Sequence, residues 1–331
     1  MDPDLDRFDS RRSTVYAPEG LVATSQPLGA AAGRDVLQQG GNAFDAAVAT
    51  AAALNVVEPM STGIGGDCFM LFRTADGDVG AMRACGGAPE RATRERVQEA
   101  IAADRGVDPV TVGMPEDGPH TVTVPGAARG WEATVRECGR LSLADVLAPA
   151  IRYATEGFPV TEVVAAQWRG ADEHLRNEHA RETFLRDGAV PTVGQEVALP
   201  ALGETLQQVA AEGADAIYQG SLGDAIATTV QEAGGFLTVE DLTGVDVEWP
   251  DPLSTTYGGA EVFELGPNNQ GQIVLEALNI AAELDAGAAP AGSAERVHRL
   301  VEATKLAFHD GHHYITDPDF EVVPELHDPD H

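Results

Sequence analysis

The chain has 331 residues and a formal net charge of −32, because 53 acidic residues outnumber 21 basic ones. A field of this sign repels a phosphate backbone, and the sequence contains no basic stripe, so nucleic acid is excluded as a partner. The acidic residues are dispersed rather than gathered in one tail, and Lys305 is the only lysine. This pattern predicts a halophilic protein that its charge keeps soluble in concentrated salt.

The chain is long enough for a substantial core, since 43% of its residues are hydrophobic and no Pro/Ser-rich linker or repeat divides it. We expect a polar lead-in over 1–23, one domain over 24–320 and a C-terminal tail over 321–331. No apolar run approaches the ~18 residues of a membrane span, and Arg11–Arg12 precede no secretion-signal core. Three cysteines without metal or redox spacing fit reduced thiols. We therefore expect a cytoplasmic protein with no membrane contact, metal or cofactor.

The first predicted elements are two helices joined by a short turn. The first spans 27–39 and ends at Gly40. Asn42 is a good N-cap for the second, and Asp45, three residues on, supplies the reciprocal acid of a capping box. Residues 46–57 are almost entirely apolar, so this helix is expected to be packed on more than one side.

A glycine-rich turn and a β-hairpin follow. The turn is expected to use positive φ angles or a close backbone approach at three glycines: Gly63, Gly65 and Gly66. Residues 68–73 and 79–85 are predicted strands, and Asp76-Gly77 between them is typical of a hairpin turn. Further elements are predicted as helices over 126–137, 143–156, 202–212, 222–232, 272–284 and 294–308, and a strand over 260–265. The sequence thus predicts a mixed α+β fold.

Several segments, in this order, resemble the γ-glutamyltransferase family of N-terminal-nucleophile amide hydrolases. They are SQPLGAAAGRDVLQQGG (25–41), GGNAFDAAVATAAALNVVEPMSTGIGGDCFML (40–71), HTVTVPGAARGW (120–131), ADVLAPAIRYATEGFPV (144–160), IYQGSLGDAIATTVQEAGGFLTVEDL (217–242), GPNNQGQIVLEALNI (266–280) and HDGHHYITDPDF (309–320). The resemblance implies a four-layer αββα sandwich whose inner sheets take strands from two subunits cut from one precursor. This chain alone is then expected to expose sheet edge and core, which is an aggregation liability.

The resemblance also implies that the catalytic residue lies outside this chain. The family nucleophile is a threonine that autoprocessing makes the first residue of the small subunit; its hydroxyl attacks and its α-amine is the base. Nothing after Phe320 looks like that threonine. We therefore expect the large-subunit half, processed or truncated, with a small subunit that carries the N-terminal threonine as its partner. The short tail fits either a shortened linker or one that is partly absent.

The acyl-binding site is expected at the end of the second hairpin strand. Transferases proper carry an Arg-Glu pair before an Ala-Pro dipeptide, and aligning Ala88–Pro89 with that dipeptide puts Cys85 and Gly86 in place of the pair. Arg83 lies two residues before Cys85, about 6–7 Å along the strand, and its side chain leaves the same face. Either Arg83 partly replaces the missing arginine, or the acid recognised is not glutamate. The alternative is a surface arginine at a strand edge.

The predicted substrate-binding residues are Arg83, Cys85, Gly86 and Gly87, and the predicted cleft loop consists of Asn268, Asn269, Gln270 and Gly271. Three competing sites are weaker. His309, His312 and His313 are more typical of a helix end than of a metal site, and the glycine run 63–67 leads into a strand, which disfavours phosphate binding. A nucleophilic role for Cys85 is disfavoured because no histidine lies near it in the sequence.

The predicted function is therefore that of a large subunit in an enzyme that cleaves or transfers γ-glutamyl or similar acyl amides, such as glutathione, through an acyl-enzyme. The alternatives are an amidohydrolase of another small acid and a catalytically inactive, binding-only relative.

Overall fold

The computed structural model describes residues 14–111 and 113–329. Most of the predicted lead-in over 1–23 and the last two residues of the tail over 321–331 lie outside this part of the chain. The helices are α1 Pro27–Gln38, α2 Ala43–Val57, α3 Arg94–Arg105, α4 Ala127–Cys138, α5 Leu143–Glu156, α6 Glu162–Ala171, α7 Glu178–Phe184, α8 Pro200–Glu212, α9 Asp215–Tyr218, α10 Gly220–Glu232, α11 Val239–Thr243, α12 Gly271–Glu283 and α13 Ala294–Tyr314. The strands are β1 Cys68–Arg73, β2 Val79–Ala84, β3 Phe158–Pro159, β4 Glu196–Val197, β5 Leu253–Tyr257 and β6 Ala260–Glu264.

These elements fall into two compact units. The first contains the described residues of Met1–Gly66, Pro89–Val122 and Trp131–Thr243, and the second those of Asp67–Ala88, Thr123–Gly130 and Gly244–His331. Each unit is assembled from separate stretches of sequence, so no single linker marks the division. The single domain over 24–320 remains a prediction.

The first unit contains the helix pair α1–α2. The predicted capping box is confirmed: Asn42 Oδ1 accepts from the backbone N–H groups of Phe44 and Asp45, and Asp45 Oδ2 accepts from Asn42 N at 2.8 Å. The two helices come close at Gly33, where a Cβ atom would lie 2.3 Å from Thr50 Oγ1. Small side chains therefore allow the close packing that buries most of α2.

The positive φ angles predicted for the glycines after α2 are wrong, whereas the predicted alternative, a close backbone approach, is found at Gly66 alone. Gly63, Gly65 and Gly66 do not adopt positive φ angles. A Cβ atom at Gly63 or Gly65 would meet nothing within 4 Å, and the nearest contact for one at Gly66 would be Gly63 O, 3.3 Å away. The segment turns through a hydrogen bond from Gly66 N to Gly63 O, which residues other than glycine can also form.

The second unit contains the predicted hairpin β1–β2, which pairs antiparallel with Cys68 opposite Ala84. The hairpin turn is confirmed, with Gly77 at φ +100°. Phe69 and Leu71 point to the same face of β1 and are 41% and 39% exposed. Within the described part of the chain β1 pairs only with β2, so one edge of β1 and one apolar face are uncovered, as expected of a sheet that other strands complete.

A second hairpin, β5–β6, packs against α12 in the same unit, and α12 packs against α13. No helix among the described residues is both long enough and apolar enough to cross a bilayer.

A carboxyl pair links α12 to α13. Glu276 is only 5% exposed and shares a hydrogen bond with Asp310 beside a cavity of about 370 Å³, which Glu283, Leu326 and Asp328 also line. The second oxygen of Glu276, Oε2, is buried and has no hydrogen-bond partner among the described residues. Burial, followed by the hydrogen bond to Asp310 and its charge, raises the pKa of Glu276 to about 7.

This raised pKa predicts that the protein loses stability as the pH rises towards neutrality. Below the unfolded-state pKa of 4.5, Glu276 is protonated in both states and costs nothing. Between pH 4.5 and 7 the unfolded chain ionises first, so the free energy of unfolding should fall by a total of about 3 kcal/mol and then level off. Glu276→Gln, neutral at every pH and able to donate to Asp310, should remove this loss.

The measurement is the urea midpoint of the full-length gene product from pH 5 to 8.5 at constant salt. Glu261→Gln is the matched control, since it removes the same charge from an exposed position on strand β6, away from this cavity. Equal pH slopes for the wild type and Glu276→Gln would contradict the prediction.

Candidate functional site

The end of strand β2 is held by the backbone of residues 123–126. Gly86 N donates to Val124 O at 3.1 Å, and Val124 N donates to Gly87 O at 3.1 Å. A Cβ atom at Gly86 would lie 2.3 Å from Val124 O, and one at Gly126 would lie 2.1 Å from Ala84 O. Both glycines are therefore required for these two backbone segments to lie side by side.

Arg83 occupies the centre of the candidate site. Its side chain is 14% exposed, and its Nη2 forms an ion pair with Glu248 Oε2 at 2.5 Å. Its Nη1 donates to Pro267 O, and to Asn268 Oδ1 at 3.4 Å. The remaining Nε–H group is buried and has no acceptor among the described residues. The guanidinium thus joins strand β2 to the loop that precedes α12.

Glu248 is fixed to Arg83 by its backbone as well as by its side chain. Arg83 N donates to Glu248 O at 2.9 Å, and Glu248 N donates to Arg83 O at 2.8 Å. This is one hydrogen-bonded pair of an antiparallel ladder on the edge of β2, so the two side chains project from the same face.

Cys85 faces the same loop. Its sulfur lies 3.9 Å from both Oδ1 and Nδ2 of Asn268. Burial is the largest effect on the Cys85 thiol and raises its pKa. The hydrogen bond with Asn268 is the next largest effect and lowers the pKa, and the charge of Arg83 also lowers it, whereas the charges of Asp67 and Glu248 raise it. The net result is a raised pKa. The thiol therefore keeps its proton at neutral pH, which disfavours a nucleophilic role.

The loop over 266–271 opens helix α12. Asn269 N donates to Gly266 O at 3.1 Å, and the buried Asn269 Oδ1 has no partner among the described residues. Gly271 begins the helix, and a Cβ atom there would lie 2.2 Å from Leu265 O. Asn268 and Gln270 are exposed at the loop surface. The loop therefore presents amide groups to solvent from a tightly packed base.

The structure brings together two groups of predicted residues that are about 180 positions apart in sequence. Arg83 and Cys85 both contact Asn268, whereas Gly86 and Gly87 form the backbone wall beside them. Gln270 and Gly271 lie on the same loop. Glu248 was missed, because nothing in the pattern around it predicts a single ladder pair on the edge of β2.

The structure gives no support to a metal site at the histidines of α13 or to a phosphate site at residues 63–67. His309, His312 and His313 lie near the end of α13, where His312 packs on Phe308 and His313 packs edge-on against Tyr314. The described residues contain no group of three or more potential metal ligands. Residues 63–67 lead into strand β1, as predicted.

Similar solved structures define the class of protein. A gamma-glutamyltranspeptidase of Helicobacter pylori is 29% identical, with a TM-score of 0.88 over 96% of this chain and 91% of that chain. A cephalosporin acylase of Bacillus halodurans is 39% identical, with a TM-score of 0.87 over all of this chain and 61% of that chain. These neighbours confirm the predicted α+β fold of the N-terminal-nucleophile hydrolase type.

The family model described as gamma-glutamyltranspeptidase matches residues 29–330, and the chain belongs to this family of hydrolases and transferases. It is 36% identical over 317 residues to the glutathione hydrolase-like YwrD proenzyme of Bacillus subtilis. That alignment covers 94% of this chain but only 58% of the relative. The chain thus spans a little over half the length of a full proenzyme.

Proposed function

We propose that this chain is the large-subunit portion of a self-processing enzyme that cleaves or transfers γ-glutamyl or similar acyl amides. The proposal is supported by the share that the chain covers of two similar proteins. The chain covers 58% of a relative described as a proenzyme, yet 91% of a solved chain of the Helicobacter pylori transpeptidase. This is the relation expected if such precursors are cut into two subunits and this chain corresponds to the larger one.

The proposed reaction begins outside this chain, at the N-terminal threonine of the small subunit. The threonine hydroxyl attacks the amide carbonyl, and its own α-amine takes the proton. Backbone N–H groups hold the oxyanion, and the amine leaves with a proton. Water or a second amine then releases the acyl group. The proenzyme must therefore be cut before it is active.

In this proposal the chain provides one wall of the acyl site, built from residues 83–87 and the loop over 268–271. The observation that carries this assignment is the contact of Arg83 and Cys85 with Asn268, because it joins both predicted segments in one cluster. Gly86 and Gly87 supply rigid backbone, and the exposed amides of Asn268 and Gln270 supply hydrogen-bonding groups for a ligand.

A second candidate is an amidohydrolase of another small acid. Cys85 and Gly86 stand where an Arg-Glu pair is expected, and the donors of Arg83 are largely occupied by protein acceptors. The 39% identity to a cephalosporin acylase points the same way. The third candidate, an inactive binding-only relative, requires that no nucleophilic threonine follows in the precursor.

We also propose that the protein works in the cytoplasm at high salt, on the basis of its dispersed acidic charge.

Intact-mass spectrometry of the full gene product, purified in molar salt, tests the proposal. We expect two fragments, the second beginning with threonine. A single uncut species would contradict self-processing and favour the binding-only alternative.

Four anilides of short acids then separate the two enzyme candidates: γ-glutamyl, glutaryl, 4-aminobutyryl and butyryl. They present the acyl group with both the amine and the carboxylate, with either one, or with neither. Preference for the γ-glutamyl donor would support the transferase assignment, and preference for a simpler donor would support the amidohydrolase.

A further inference from the structure

Arg83 is the natural candidate to hold a substrate carboxylate, yet most of its donors already have acceptors. Nη2 binds Glu248, Nη1 binds the Pro267 carbonyl and the Asn268 amide, and Nε is buried. An arginine binds a carboxylate best through two parallel N–H groups. Because Glu248 occupies one side of the guanidinium, an incoming carboxylate meets a site that is already neutralised.

Glu248 is held there independently of any ligand. Its backbone exchanges two hydrogen bonds with Arg83, so its carboxylate stays beside the guanidinium even where solvent weakens the ion pair. The Glu248 side chain is 56% exposed, whereas that of Arg83 is 14% exposed. A ligand that approaches Arg83 from solvent therefore meets the negative partner first, and a second carboxylate in this position is repelled.

We infer that Glu248 is a specificity-determining residue that masks Arg83 and so selects against acyl groups bearing a carboxylate at this position. The inference rests on the proposed acyl site and names the feature that tunes it. Glu248 acts through Arg83, so it is a positioning residue. The favoured substrates are amides of small acids whose far end is neutral or cationic.

The test compares Glu248→Gln with the wild type on the γ-glutamyl and 4-aminobutyryl anilides, which differ only in the α-carboxylate. Glutamine keeps the size of the side chain but frees the charge of Arg83. The ratio of kcat/KM for γ-glutamyl over 4-aminobutyryl should rise about tenfold. The change should lie in KM, because the carboxylate is remote from the reacting carbonyl and binds equally in the ground and transition states.

Two further variants guard against a general loss of structure. Glu248→Asp keeps the charge and should retain the wild-type ratio. Glu261→Gln removes an exposed carboxylate of strand β6 and should leave the ratio unchanged. All variants are compared at one salt concentration, since salt screens carboxylate binding. A ratio for Glu248→Gln within twofold of the wild type would overturn the inference.

A binding measurement separates failure of the inference from failure of the proposed function. Calorimetric titration with glutarate needs no turnover, and Glu248→Gln should bind glutarate about tenfold more tightly than the wild type does. An inactive or uncut protein that shows this gain would contradict the enzyme and support the role of Glu248. An active enzyme without the gain would contradict the role of Glu248 alone.

Discussion

Replacing Asp45 with alanine is expected to lower the free energy of unfolding by about 3–5 kcal/mol. Asp45 is fully buried, and its carboxylate accepts backbone N–H bonds from Asn42 at 2.8 Å, Arg140 at 3.0 Å and Leu141 at 3.4 Å. The substitution removes the reciprocal half of the capping box of α2, although Asn42 still caps the helix. It also leaves the part-buried N–H groups of 140–141 without this acceptor. Asp45→Asn keeps one acceptor oxygen and should lose less.

Asp145 provides a matched control, because it closes the same kind of capping box with Ser142 at the start of α5. That box is exposed and lacks the additional bonds, so Asp145→Ala should cost only about 1 kcal/mol. The measurement is urea unfolding of the full-length product at constant salt, followed by circular dichroism. Equal losses for the two aspartates would show that capping alone explains the role of Asp45.

Gly126→Ala should both destabilise the fold and damage the proposed acyl site. The new Cβ atom would lie 2.1 Å from Ala84 O and 2.9 Å from Cys85 Cα, and both are backbone atoms of the segment that carries the candidate site. One of the two backbone segments must shift by an ångström or more. We expect a loss of about 3 kcal/mol in stability and, because positioning errors of this size are costly, at least a ~100-fold loss of activity.

Gly170→Ala is the control for this substitution. Gly170 lies in α6, is exposed, and a Cβ atom there would meet nothing within 4 Å. Alanine is the better helix former, so this variant should be more stable than the wild type by up to ~1 kcal/mol. Thermal unfolding and donor turnover of the two variants, compared with the wild type, check the prediction. Retention of full activity by Gly126→Ala would refute it.

Local signals in the sequence account for much of the fold. The capping box of α2, the β1–β2 hairpin and α5 each depend on contacts within a few residues, and the structure confirms them with bounds that differ by at most three residues. Such elements are predictable because cap, turn and hydrophobic period agree.

Elements that depend on distant partners in the sequence were harder to predict. Helix α3 was not predicted, because its sequence RERVQEAIAADR is highly charged, although Thr93 caps it and Gly106 ends it in the left-handed conformation. Strand β5 was missed because Leu253–Tyr257 has a weak alternation, and its pairing with β6 defines it. The positive φ angles predicted for the turn at 63–66 were wrong for the opposite reason, since the presence of glycine does not by itself require positive φ.

The candidate site shows the same limit. The resemblance identified the strand end at 83–87 and the loop at 268–271, but their contact spans about 180 residues and no local pattern encodes it. The pairing of Glu248 with Arg83 was not predicted, since it depends on a single ladder pair. The neutralisation of Arg83 by Glu248 can be recognised only from the structure, because it depends on where the two backbone segments lie.

The uncovered edge of β1 can pair with a strand of the same polypeptide or with a strand of a second copy. Which of the two pairs first decides between folding and aggregation. A strand in the same polypeptide meets the edge at a millimolar effective concentration, whatever the dilution of the protein. A strand on a second copy meets it only at the bulk concentration, typically micromolar, and the resulting contact can propagate from copy to copy. Under the proposed function, a covalent link to the pairing strand would therefore protect this edge, and the chain produced alone should aggregate more than the chain produced within its proposed precursor, even in concentrated salt.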